Sequence, residues 1–133
     1  MRSFVWLFCF VLTACFLAGC SDPPQRAAPA VPVKGKVMLD GQPMAKGEIR
    51  FSTAGFPPNI IEITDGAYSG KASIGKNQVE VTRMTQEGFT TTEPKSPIMV
   101  NTINSKFSGP NTSLSADVTK DGKKEFDFEV TSN

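Results

Sequence analysis

From Val33 onward the apolar residues alternate with polar ones in short runs, and no stretch keeps the spacing of an amphipathic helix. A period of two sends one side of an extended strand into a core and the other into water, so this pattern leaves little room for anything but sheet. Val33, Gly35, Val37 and Leu39 share one face of a first strand that stops at Asp40-Gly41. Residues 48–52 turn Ile49 and Phe51 inward, and residues 60–64 do the same with Ile61 and Ile63. Phe56-Pro57-Pro58-Asn59 separates these two runs, because proline has no amide hydrogen for a ladder.

Asp65-Gly66 turns the chain into a fourth strand at 67–72, and Val79 and Val81 mark a fifth at 78–83. Residues 84–110 form a long connection whose one apolar patch is Ile98-Met99-Val100; connections of that length are usually functional or mobile. Leu114, Ala116 and Val118 face inward from a sixth strand at 113–119. A seventh, at 125–131, buries Phe126, Phe128 and Val130 and leaves Asp127 and Glu129 in water. Between these two, Lys120-Asp121-Gly122-Lys123 reads as a hairpin turn. Seven short strands at regular intervals predict one all-β domain over 33–133, a seven-stranded two-sheet Greek-key sandwich.

The first nineteen residues belong to something else. Arg2 precedes an uncharged apolar run from Phe4 to Gly19, with small residues at its end, the layout of a secretory signal. Sixteen residues make a helix of about 24 Å against a hydrocarbon core of about 30 Å, which disfavours a membrane span. Leu17-Ala18-Gly19-Cys20 resembles the lipobox of bacterial lipoproteins. That resemblance implies cleavage between Gly19 and Cys20, a covalent lipid on the Cys20 thiol, and a domain held outside the cytoplasm at the bacterial cell envelope. A plain secretion signal and an uncleaved anchor are the alternatives. Residues 21–32, with four prolines, read as a tether reaching roughly 37 Å if extended, so that 20–32 links lipid to domain.

Once the leader is removed, Cys9 and Cys15 go with it, Cys20 carries lipid, and no thiol remains for a disulfide. Thirteen basic residues then face thirteen acidic ones, a balance that points away from nucleic acid.

Within the domain, Val33-Lys34-Gly35-Lys36-Val37, Asp40-Gly41-Gln42-Pro43-Met44 and Gly47-Glu48-Ile49-Arg50-Phe51 resemble the opening of carboxypeptidase-regulatory-like domains, and Thr64-Asp65-Gly66-Ala67-Tyr68 is similar to their second signature. The tail from Asn104-Ser105-Lys106-Phe107 through Gly122, Phe126 and Phe128 resembles small lipoproteins built on that domain. The resemblance implies a transthyretin-like (prealbumin-type) or immunoglobulin-like sandwich acting as an accessory module, without peptidase activity. It departs from the family at Gly75, where Lys76-Asn77-Gln78 replaces the usual aromatic.

The chain contains no histidine, which excludes Ser-His-Asp and Cys-His catalysis and histidine-ligated zinc. Glu48, Glu80, Asp117, Asp127 and Glu129 fall on outward strand positions, and the Asp-Gly pairs at 40, 65 and 121 read as turns rather than calcium ligands. No catalytic residue, no metal site and no cofactor other than the lipid on Cys20 is therefore expected. What remains is a lipid-anchored envelope protein with a structural or protein-interaction role. The membrane is its partner through the anchor, and envelope proteins are its partners through loops at Phe56, Phe89, Ile98 and Met99. The alternative is a solute- or glycan-binding accessory lipoprotein, which would need a concave polar site with aromatic walls.

Overall fold

The structure, a computed structural model, describes residues 27–133, so the expected cleavage and lipidation sites at Gly19 and Cys20 lie outside the described residues. Among those residues it is all-β, with ten strands: β1 (Ala30–Leu39), β2 (Gln42–Pro43), β3 (Lys46–Ser52), β4 (Asn59–Thr64), β5 (Ala67–Ser73), β6 (Gly75–Thr82), β7 (Met84–Phe89), β8 (Pro97–Asn101), β9 (Leu114–Val118) and β10 (Phe128–Val130). The seven expected strands are those of the main sheet, ordered β10-β1-β5-β4-β3-β6-β9, with β2 attached to β1.

Rather than two sheets hydrogen-bonded apart, this is one sheet that curls over its own inner face. Three strands separate β10 from β3 along it, yet the rings of Phe128 and Phe51 meet edge-on at 6.4 Å. The curl makes a β-sandwich around Phe51, Ile49, Ile63, Val37, Val79 and Val118, each fully buried. The alternation read from the sequence holds, since Ile49 and Phe51 are at 0% exposure while Glu48 and Glu62 face water. Phe126 and Phe128 point inward but stay half-buried, packed against the edge of the core.

Two Asp-Gly turns carry the register. Asp40 and Gly41 (φ 52° and 79°) and Asp65 and Gly66 (φ 49° and 77°) take the paired left-handed conformations of a two-residue primed turn, joining Leu39 to Gln42 and Thr64 to Ala67. The third Asp-Gly does something different. β9 and β10 sit at opposite ends of the sheet and β10 runs parallel to β1, so residues 119–127 are a crossover and Gly122 stays outside the left-handed region. The free edge of β1 supplies β10 with backbone partners in the layer facing β3, and there Phe128 gains its contact with Phe51.

Two further departures come from pairing that alternation does not record. β1 begins at Ala30, inside the stretch read as tether, where Val31 is buried opposite Ala72. The connection at 84–110 contains β7 and β8 paired as a separate two-stranded sheet, and then sends Ile103 into the core at 1% exposure. At the departure from the resembled family, Asn77 is fully buried. Its amide donates to the carbonyls of Ser73 (2.8 Å) and Gly75 (2.9 Å), and its oxygen accepts from the Thr53 hydroxyl at 2.7 Å, so the buried polar group is satisfied.

The seam between β1 and the tail has its own hydrogen-bond arrangement. The ladder begins regularly, with the Lys34 amide donating to Lys124 and the Phe126 amide to Lys34. The Phe126 carbonyl then turns inward and accepts from the Tyr68 hydroxyl at 2.7 Å, and the Asp127 carboxylate takes the Lys36 amide at 2.7 Å. Asp127 is exposed as expected, but it is also a ladder partner.

Burial, and then the Asp127 and Glu125 carboxylates, push the Tyr68 phenol well above its ordinary value of 10.0. The fold thus holds the neutral phenol where the unfolded chain would ionise it. Stability should be untouched by this group below about pH 10 and fall above it, by up to about 1.4 kcal/mol per pH unit. Alkaline denaturant melts compared with Tyr68→Phe should show the wild type losing stability faster between about pH 10 and 12; parallel curves would contradict the buried neutral phenol.

Candidate functional site

The strand directions give the domain two poles. At one, Ala30 pairs with Ser73, the Ile74 amide donates to Pro29 at 2.8 Å, and the Asn59 amide reaches the Ser73 hydroxyl at 2.8 Å. The chain segment leading from residue 27 and the β3–β4 connection carrying Phe56 therefore lie together. β6 runs away from this pole for eight residues, about 26 Å, and delivers the chain to β7 at the other. Phe56, half-buried, is thus separated from the other three residues of the sequence-predicted surface.

Those three do come together on the β7–β8 hairpin, where Phe89 is 57%, Ile98 44% and Met99 47% exposed. Met84, at 54%, joins them and was not foreseen. Register pairs Met84 with Asn101, Gln86 with Met99 and Phe89 with Pro97, and Glu87 is an extra residue in β7. Without that bulge Phe89 would lie on the face opposite Met84; the inserted residue restores its phase. Met84, Met99, Phe89 and Pro97 share one face, and Ile98 and Val100 lie on the other. The sequence signal for Met84 was the alternation Met84, Gln86 against Met99, Asn101, which the bulge breaks before Phe89.

A two-stranded hairpin with apolar side chains on both faces is marginal alone in water. This one is secured at its root. The Asn101 side-chain oxygen accepts from the amides of Arg83 (3.0 Å) and Ile103 (3.2 Å), the Thr102 amide donates to Arg83 at 3.0 Å, and the Asn133 amide donates to Thr102 at 3.1 Å. Ile103 then plugs the core directly below. The arm beyond the root is exposed at nearly every position.

Beside the root opens a groove of about 690 Å³, formed where the chain leaves β3: pairing holds as far as Thr82 opposite Glu48, and the next residues swing away. Residues 46–48 of β3 and the outward side chains Ile60 and Glu62 of β4 make one side, and residues 82–86 the other. Five consecutive residues of both side-chain parities line it, and none from β8, so the wall on that side is the free backbone edge of β7. Neither this groove nor a second concavity of about 540 Å³ beside β9 has an aromatic side chain in its lining. Among the described residues no cluster of three acidic, histidine or cysteine side chains could hold a metal ion, and no helix is long and apolar enough to cross a membrane.

No family model matches the chain, and no curated protein matches it. Among solved structures it is similar to a DUF3823 family protein from Parabacteroides merdae ATCC 43184, with 14% sequence identity and a TM-score of 0.37. The match covers 79% of this chain and 46% of that one, so the chain spans less than half of that protein's length.

Proposed function

We propose that this is a non-catalytic, lipid-anchored protein of the bacterial cell envelope, in which a transthyretin-like sandwich of the carboxypeptidase-regulatory-like kind holds an apolar hairpin out to a protein partner. The observation that carries this reading is the concentration of Met84, Phe89, Ile98 and Met99 on one small sheet at the pole away from residue 27. A lipid on Cys20 would hold the near pole to the membrane and leave the hairpin facing outward. Exposed apolar side chains gathered in one place mark interaction sites, whereas scattered ones do not. The positions of the residues behind the family resemblance support the accessory role: Asp40-Gly41 and Asp65-Gly66 shape turns and Gly35 permits a close backbone approach, all of them structural tasks.

Photo-crosslinking in intact cells tests the surface. A probe replacing Phe89 in the full chain should give discrete protein adducts, and one replacing exposed Lys71 on the outer side of β5 should give few. Equal yields from the two positions would overturn the reading.

A further inference from the structure

We propose that β7 is a self-association edge: two copies of this chain pair β7 on β7, antiparallel and centred on Thr85, fusing their hairpins into one four-stranded sheet. This rests on the reading of the hairpin as the interaction surface and names its partner.

The backbone is set up for such pairing. The Thr102 amide bonds to the Arg83 carbonyl while the Arg83 amide turns to the Asn101 side chain, so Arg83 aims both backbone groups toward the β8 side and, by antiparallel alternation, Thr85 does the same toward Val100. The intervening residues, Met84 and Gln86, therefore aim their amides and carbonyls outward, into the groove. An antiparallel copy centred on Thr85 sets Met84 against the partner's Gln86, and each of these pairs exchanges two backbone hydrogen bonds. Edge strands left open in this way are usually shortened or blunted with lysine or proline. β10, at one end of the main sheet, is only three residues long, whereas residues 84–86, ahead of the bulge at Glu87, are all exposed and contain neither lysine nor proline.

The charges select the register. Arg83 and Glu87 lie two residues on either side of Thr85, both exposed, and neither makes an ion pair among the described residues. Pairing centred on Thr85 brings each Arg83 alongside the partner's Glu87 at the ends of the paired segment, twice by symmetry; centring on Met84 or Gln86 does not. An isologous two-fold contact of this kind is the commonest route to a dimer. It also turns two marginal two-stranded hairpins into a four-stranded sheet, with Met84 and Met99 of both copies on one face.

The test uses the full chain in intact cells, with Thr85→Cys as a reporter at the two-fold axis and the wild type, with its own three cysteines, as background. Under mild oxidation Thr85→Cys should give disulfide-linked dimers well above both the wild type and Lys71→Cys. Adding Arg83→Glu brings like charges together at each end of the paired segment and should cut the dimer yield by about tenfold, and adding Glu87→Arg as well should restore it. Dimer yields equal to the Lys71→Cys control, or a loss that the double charge swap fails to rescue, would overturn the proposal. Adducts from position 89 to other proteins without dimers from position 85 would sink self-association and leave the interaction surface standing. No adducts from position 89 would sink the interaction surface itself.

Discussion

Gly35→Ala will destabilise the domain by about 3 kcal/mol or more, enough to leave much of a small sandwich unfolded. A Cβ at Gly35 would run into the Phe126 carbonyl oxygen, with the Phe126 carbonyl carbon 2.7 Å and the Tyr68 ring 3.0 Å away. The obstacle is backbone, and it cannot step aside: that carbonyl is turned inward to accept the Tyr68 hydroxyl, while Asp127 substitutes for it on the Lys36 amide. Accommodating a methyl group means giving up the inward turn and with it the seating of Phe128 against Phe51. Tyr68→Phe and Asp127→Ala each remove one partner and leave the backbone path intact, so each should cost less, about 1 to 3 kcal/mol. Denaturant melts of the three variants should place Gly35→Ala clearly last. If it matches the other two, the close approach between β1 and the tail is looser than described.

Cys20→Ala will reduce incorporation of labelled palmitate to background and move the processed protein from the detergent to the aqueous phase. The lipobox-like Leu17-Ala18-Gly19-Cys20 motivates this, as does the composition of residues 21–29, which are rich in proline and alanine and offer no apolar run to hold a membrane. Anchoring by several acyl chains is stable where a single chain is marginal, so loss of the attachment site should shift partitioning by orders of magnitude. Variant and wild type labelled to the same extent would rule out Cys20 as the lipid site, and with it the picture of a hairpin held away from a membrane.

Local periodicity determined which segments are strands and which side of each is buried, because side-chain alternation is a property of a few consecutive residues. Ile49 and Phe51, Val79 and Val81, and Ala116 and Val118 could be assigned inward from their neighbours alone, and two of the three Asp-Gly pairs adopt the primed turns their conformational preferences favour. The third, Asp121-Gly122, has the same local chemistry and spans a crossover instead, since what decides the partner of β10 is the open edge of β1 some ninety residues earlier and the ring of Phe51 across the core. Distance along the chain likewise hid the tail carbonyl that Gly35 admits and Tyr68 binds. The β7–β8 hairpin escaped alternation for a different reason: one bulged residue at Glu87 breaks the period of two, and nearly every side chain on the arm is exposed, so no buried stripe announces it. Sequence alone thus determined the strands, the inward faces, the primed turns and the exclusion of histidine chemistry. Only the tertiary structure decided the curl, the parallel closing strand, the inward carbonyl at the seam and the grouping of Met84, Phe89, Ile98 and Met99 at one pole, because each depends on pairing between residues far apart in the chain.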